Sequence, residues 1–278
     1  MAAIPKNITD LVDKIYETYE KANSGPSRLT RIGASSIGEE CVRSIWFDWR
    51  GFAEEKPSGR LLRLFKTGFI QEDRVLEDLK NAGLSVWGHD ESGDQWTYVF
   101  ANGHAVAKLD GVVKGVPGAE KTPHTLEIKS SNKKGFDELS KYGVQKAKPL
   151  HYAQMQMGLL GSGLKDALYI AVCKDDERMY AERVKRDEVE IGFIQKKLEQ
   201  LTTVEIPPPR ITDKEDDWRC KFCDSKAVCW AREAPKQNCR TCAYSCVEND
   251  GAWSCSKLGK ILEAKEQVAG CDLWSTAL

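Results

Sequence analysis

A chain of 278 residues with 41 Lys and Arg against 42 Asp and Glu carries a formal net charge of −1, and 41% of its residues are hydrophobic. That length buries a substantial core, as one large domain or a domain with an appendage, and the composition excludes intrinsic disorder and a uniformly basic nucleic-acid coat. No apolar run is long enough to span a bilayer, and the first residues, MAAIPKNITDLVDKIYETYEKAN, pattern as an amphipathic helix without the apolar segment of a signal peptide, so a cytoplasmic protein is expected.

A first helix is expected over residues 7–23. GASSIGEECVRSIWFDWRGF predicts a second from about Gly38 to Trp49, with Ser35 or Ser36 as its cap. Residues 59–81 read as a long amphipathic helix ended by Asn81 and Gly83. Strands are expected at about 84–88, 95–101, 104–109, 111–116 and 124–130, with glycine-rich punctuation between them. KKGFDELSKYG predicts a short helix, and Pro149 opens another that runs to about Gly161. DALYIAVCK is an apolar strand, RMYAERV its partner, and residues 187–202 a further helix. IPPPR at 206–210 marks a linker, and the remainder is rich in cysteine. This order gives an α/β fold: a central mixed sheet flanked by helices, then a metal-stapled C-terminal region.

Asp110 ends one apolar run, and Glu127 and Lys129 sit two apart inside the next, HTLEIKSS, where a strand turns both to one face. Two carboxylates hold a hard divalent cation, which polarises a phosphodiester and activates a water. A lysine beside them orients that water or stabilises charge in the transition state. Glu72 falls on the apolar stripe Leu61, Phe65, Gly68, Val75, Leu76 and Leu79, where a carboxylate is costly without a cation or donors. On the helix after Pro149, the expected buried face is Leu150, Ala153, Met157, Leu160 and Gly161. Gln154 falls on that face, whereas Tyr152 and Gln156 point elsewhere, so Gln154 is the amide expected to organise a site. From Lys108 to Lys148 nine lysines stand against five acids, a local basic rim suited to a polyanion. The histidines at 89, 104, 124 and 151 form no ligand pair; His151, near Gln154, is a candidate to line the site, with a surface or satisfied histidine as the default reading. No GxxxxGK[ST], GxSxG or HExxH pattern is present.

Apart from Cys41 and Cys173, the ten cysteines lie from Cys220 onward, and in a chain without marks of secretion this clustering reads as metal ligation. Cys220, Cys223 and Cys229 offer three soft ligands on a short loop; a closed site needs a fourth, for which Cys41 is the candidate. Iron–sulfur and tetrahedral zinc both suit such a set. Cys239, Cys242, Cys246, Cys255 and Cys271 make a second group, and Cys173 is an inert core residue.

In order, a helix Glu, an Asp, a Glu-x-Lys and a helix Gln resemble the PD-(D/E)xK nucleases, within them the RecB-type group of lambda-type and CRISPR-associated Cas-four-type exonucleases. GFIQEDRVLEDL is similar to the acidic helix motif, with Gln71 where the CRISPR-associated members often carry His, and HYAQMQMGLLGSG is similar to the glutamine-bearing helix of the lambda-type enzymes. The resemblance covers about residues 34–230. It implies a restriction-endonuclease-like core and a metal-dependent DNA nuclease, an exonuclease of recombination or repair with a phage origin, acting in the cytoplasm of a bacterial host. It implies Asp110, Glu127 and Glu72 on Mg2+ or Mn2+, Lys129 assisting hydrolysis and Gln154 in support. DNA and a recombination or repair protein are the partners implied, with no membrane.

A distant cysteine joined to a C-terminal trio resembles the iron–sulfur nucleases of this group, which implies a 4Fe–4S cluster on Cys41, Cys220, Cys223 and Cys229, with Zn2+ as the rival. CRTC…GAWSC…EQVAGC is similar to a small zinc element of some phage nucleases, which implies Zn2+ on Cys239, Cys242, Cys255 and Cys271, with Cys246 spare or in place of Cys271. The organisation expected is a nuclease core with N-terminal helices over 1–205, a cysteine loop over 206–232 completed by Cys41, and a zinc element over 233–278. The alternative class is a non-catalytic DNA-binding or recruitment module on the same scaffold.

Overall fold

The apolar runs form strands that sort into three sheets. The computed structural model describes residues 9–24, 30–53 and 57–278. The chain begins with α1 (Thr9–Ala22), β1 (Ile32–Gly33), α2 (Ala34–Ile37), α3 (Val42–Arg50) and the long α4 (Gly59–Asn81). Next come β2 (Ser85–Trp87), β3 (Thr97–Phe100), β4 (Ala105–Lys108), β5 (Gly111–Lys114) and β6 (His124–Ser131). α5 (Lys133–Ala147) and α6 (Pro149–Ser162) lead to β7 (Asp166–Cys173), β8 (Met179–Lys185) and α7 (Glu188–Thr203). α8 (Lys226–Cys229), β9 (Ser245–Val247), β10 (Trp253–Cys255), β11 (Lys260–Ile261) and α9 (Ala264–Ala269) complete it. Positions 7 and 8 of the expected first helix lie outside the described residues. No helix among the described residues is long and apolar enough to cross a membrane.

The main sheet has the order β2-β5-β6-β7-β8 and is mixed: only β6 and β7 run parallel. A parallel pair needs a long crossover, and α5 and α6 supply it. β7 is covered on both faces, which explains its continuous apolar run. Leu126, Ile128, Leu168, Ile170 and Val172 leave one face and pack with Val75 of α4. Ala167, Tyr169 and Ala171 leave the other and pack with Phe136 and Leu139 of α5 and Met155 and Leu159 of α6. The register pairs Glu127 with Tyr169 and Lys129 with Ala171, so the Glu-x-Lys pair belongs to the α5–α6 face.

A small sheet, β1-β4-β3, lies beside α2 and α6, and β9, β10 and β11 form a third. The core around α3 draws on both ends of the chain: Ile32, Trp46 and Phe47 pack in one cluster with Ile194, Val228, Trp253 and Leu262. Gly103 and Gly251, both at positive φ, bring two backbones so close that a Cβ on Gly103 would lie 2.2 Å from the Gly251 nitrogen. Arg240 donates to Thr30 O at 2.8 Å and Trp49 O at 3.2 Å, and Asn238 Nδ2 donates to Gly51 O at 2.9 Å. The cysteine-rich tail is therefore fastened to the N-terminal helices by polar as well as apolar contacts.

Three elements depart from the sequence reading. The helix expected from Gly38 to Trp49 begins only at Val42, as α3 with Cys41 in the N-cap position, and Ser35 and Ser36 lie inside a separate short helix, α2, rather than capping it. The break between the two is held by Lys197, whose Nζ donates to Ile37 O at 2.8 Å and Glu39 O at 2.9 Å. α5 runs past Gly143 through a kink at φ 75°, where Val144 N donates to Glu182 Oε2 at 2.8 Å. The apolar stripe of α4 is buried at Val75, but Phe65 is 49% exposed. The helix outruns the sheet it packs on, and its first half is covered by α1 alone among the elements it packs against extensively.

Candidate active site

Asp110 lies at the junction where the chain leaves β4 of the small sheet and enters β5 of the large one. The β5–β6 ladder stops at the Gly111–Leu126 pair, so the edge of β6 beyond it lacks a strand partner from β5. The Asp110 side chain takes that place: Oδ2 accepts a hydrogen bond from the Ile128 N–H at 2.7 Å. Ile128 separates Glu127 from Lys129, so the bond sets the Asp110 carboxylate against the Glu-x-Lys segment.

Glu127 is 3% exposed, and the Lys129 ammonium pairs with its carboxylate. Burial drives the Glu127 carboxyl well above its ordinary range; Lys129 pulls it back, and Asp110 and Glu72 push it up again. Asp110 is also raised by burial, against Lys129 and the Ile128 N–H. Glu72 stands one turn before Val75, where α4 packs on the sheet. Burial and then the Asp110 charge bring its pKa up to about 7, with Lys129 opposing. Burial acts against the Lys129 ammonium, but Glu127 and Asp110, with Glu72 after them, outweigh it and hold its pKa above the ordinary value. Four predicted residues thus form one electrostatic unit in which three carboxyl groups share one ammonium. The other lysines of the basic stretch, Lys148 apart, are exposed.

The reading of α6 needs correction. This helix is buried on most of its circumference, at Tyr152, Ala153 and every position from Met155 to Leu159, because the main sheet, α2 and α7 all pack on it. The fully buried amide is Gln156, not Gln154. Its Nε2 donates to Lys185 O at 2.9 Å and its Oε1 accepts from Asp187 N at 2.9 Å, so it ties α6 to the end of β8. Tyr152 is also inward, its hydroxyl donating to Asp187 Oδ2 at 2.9 Å. Gln154 is half-buried and shares a helix face with His151 and Gly158. A Cβ on Gly158 would lie 2.7 Å from Leu109 Cδ2, so this face abuts the residue before Asp110. His151 bonds to Tyr169, and the Lys129 charge acts on it. The sequence reading weighed it as a residue lining the site beside Gln154 but defaulted to a surface or satisfied histidine.

The cysteines gather by the predicted groups. The Cys239 thiol is raised by burial and then by Cys271, Cys242 and Cys255. Those four line one cavity of about 320 Å3, with Leu258, Leu262 and Trp274. Cys246 does not line it. In the register Cys255 faces Ser245 and Cys246 faces Ser254, so strand alternation turns Cys246 to the opposite side, near Arg50. In the other group, Cys220 is raised by burial, then Asp217, Cys41 and Cys229. Cys223 is raised by burial, with Asp48 and Cys41 adding. Arg43 on α3 donates to Cys229 Sγ at 3.3 Å and to Pro208 O at 2.7 Å, which holds the 206–210 segment beside Cys41. Cys173 is fully buried in β7. Among the described residues no group of three or more His, Cys, Asp or Glu side chains is arranged as a ready shell for an ion. The donor chemistry nonetheless fits two kinds of metal: three carboxyl groups facing a single ammonium suit a hard cation, and clustered thiols, of which Cys220, Cys223 and Cys239 are raised by burial and then by neighbouring groups, suit a soft one.

No family model matches the chain, and no curated protein matches it. Among solved structures it is similar to an alkaline exonuclease, LHK-Exo, from Laribacter hongkongensis, at 21% identity and a TM-score of 0.42. LHK-Exo in complex with dAMP is similar at 19% identity and a TM-score of 0.46; each of the two matches covers 66% of this chain and 90% of that chain. SSO0001 is similar at 16% identity and a TM-score of 0.46, over 83% of this chain and 100% of that one. Scores this low describe a distant likeness and carry no weight for function.

Proposed function

We propose that the chain is a metal-dependent DNA nuclease, an exonuclease of recombination or repair with a phage origin. The observation that carries this reading is the Asp110–Ile128 hydrogen bond, which sets one buried carboxylate against Glu127 and Lys129 and within reach of the Glu72 charge. Asp110, Glu127 and Glu72 are the residues that would hold Mg2+ or Mn2+. Bound there, a divalent cation supplies polarisation of a phosphodiester and an activated water. Lys129, held protonated by its acidic neighbours, orients the attacking water or offsets the charge developing on the phosphate. Gln154, on the helix face beside Leu109, orients the same site. The exposed lysines bind the DNA backbone without reading sequence.

The cysteines are proposed as staples. Cys41, Cys220, Cys223 and Cys229 would hold a 4Fe–4S cluster, or Zn2+, between α3 and the chain after α7. Cys239, Cys242, Cys255 and Cys271 would hold Zn2+, with Cys246 outside the set. A metal that ligates such thiols keeps them deprotonated, which removes the cost that burial and mutual repulsion impose on them.

Purified protein incubated with end-labelled linear and circular DNA, with Mn2+ or with chelator, tests the reading. Cleavage of the linear form that needs the metal and is lost in Asp110→Ala supports it. Binding without metal-dependent cleavage favours a DNA-binding module on this scaffold instead.

A further inference from the structure

Tyr169 on β7 is the direct parallel partner of Glu127, so both side chains leave the same face of the sheet. Only 1% of Tyr169 is exposed, and a hydroxyl so buried needs a partner. The partner is His151 Nδ1, at 2.8 Å, from the first turn of α6. A buried phenol O–H must donate, and Nδ1 is the acceptor in contact with it. If Nδ1–H donated instead, the phenolic hydrogen would be stranded against the apolar cluster of α5 and α6. The bond therefore sets the tautomer: Nδ1 accepts and Nε2 carries the hydrogen. Among the described residues Nε2 has no hydrogen-bond partner, and the ring is half-buried.

The ring sits at the site and stays neutral there. Burial, then Lys129 and Lys148, bring the His151 pKa down to about 4. Its helix face continues through Gln154 to Gly158, which packs against Leu109 beside Asp110. A neutral donor on this face adds no charge against Lys129.

We propose that His151 touches the substrate: its Nε2–H, oriented by the Tyr169 hydroxyl, donates a hydrogen bond to a non-bridging oxygen of the scissile phosphodiester beside Lys129. This rests on the nuclease reading of the site. The bond strengthens as negative charge builds on that oxygen, so His151 acts on turnover as well as binding. Tyr169 is a positioning residue that works through the imidazole.

The test has a spectroscopic arm and a kinetic arm. Side-chain 15N shifts distinguish the two imidazole tautomers. Wild-type His151 is expected in the Nε2–H form, Tyr169→Phe in a mixture, and a short DNA added without divalent cation should move the His151 Nε2 resonance. In Mn2+, His151→Ala should lower kcat/KM by about ten- to a hundredfold, the loss of one hydrogen bond to a charged group. His151→Gln, which retains a donor, should recover part of it, and both variants should melt as cooperatively as wild type. With a phosphorothioate at the scissile linkage, the preference between Rp and Sp forms should shrink in His151→Ala. An Nδ1–H tautomer in wild type, no DNA-induced shift, or turnover of His151→Ala within about twofold of wild type overturns the proposal. If wild type does not cleave DNA with metal, the nuclease reading falls, while the two spectroscopic measurements still decide whether His151 meets the phosphate.

Discussion

The Asp110 carboxylate and the Ile128 N–H meet at 2.7 Å, across the point where the β5–β6 ladder ends. A backbone donor left over by a short strand thus fixes the position of an acid that no strand holds. Asp110→Asn keeps an oxygen acceptor for that N–H and removes only the charge. Metal-dependent cleavage should fall by roughly a thousandfold or more, because one of the charges that holds the cation is gone. Since burial already disfavours the Asp110 anion, the metal-free variant should melt no lower than wild type near neutral pH. Gel assays beside melting curves check both halves; cleavage at the wild-type rate removes Asp110 from the site.

The three carboxyl groups give the metal-free protein a pH dependence of definite sign. Glu72 is raised from 4.5 to about 7, and Asp110 and Glu127 are raised by burial as well. A carboxyl with a raised folded value favours the fold while protonated. Its contribution is complete below the ordinary carboxyl range and is lost as pH rises through the folded value. The histidines His104 and His124, buried, and His151, half-buried, are lowered by burial and act in the opposite sense, losing their contribution as pH falls. The difference between Mg2+ and chelator isolates the carboxyl cluster. The rise in melting temperature on adding Mg2+ should be larger at about pH 8 than at about pH 5.5, and Glu72→Gln should flatten that contrast. Equal shifts at both pH values would disconnect the metal from these groups.

Gln154 and Gln156 should separate activity from stability. Gln156 satisfies Lys185 O and Asp187 N in the interior. Gln156→Ala leaves both unpaired and should cost about 2–4 kcal/mol, read as a lower denaturation midpoint. Gln154→Ala, at a half-buried position, should leave the midpoint nearly unchanged and reduce turnover. The reverse pattern would move the functional amide to Gln156.

The thiols make a prediction about metal content. Cys242→Ser should lose zinc, and Cys246→Ser should keep about one zinc per chain, because Cys246 faces away from the cavity that the other four line. Cys223→Ser should lose iron and the colour of a cluster in protein purified without oxygen. Because Trp253 and Leu262 pack with Trp46 and Phe47, loss of the tail metal should lower the melting temperature of the whole chain as well as of the tail. Elemental analysis with calorimetry reads each outcome; zinc retained by Cys242→Ser, or zinc lost from Cys246→Ser, would reassign the ligand set.

Where a property depends on neighbours along the chain, the sequence by itself determined it. β7 follows from its continuous apolar run, and the shared face of Glu127 and Lys129 follows from the two-residue period of a strand. The choice of Cys239, Cys242, Cys255 and Cys271 came from a motif likeness; the cavity that all four line is formed only by the fold. What surrounds a helix, by contrast, is decided by elements far away in the chain. One apolar face was expected for α6, but packing on several sides buries most of its circumference, which made Gln156 the interior amide and left Gln154 at the edge. α4 carries an apolar stripe longer than the sheet beneath it, so Phe65 is exposed although it falls on the same stripe as Val75. The split between α2 and α3 depends on Lys197, whose ammonium reaches Ile37 O and Glu39 O from about 160 residues away in sequence. The tautomer of His151 depends on a phenol that only the packing of α6 on β7 brings beside it. Periodicity is a local property of the chain; burial and hydrogen-bond partnership are set by long-range contacts, and those exist only once the chain has folded.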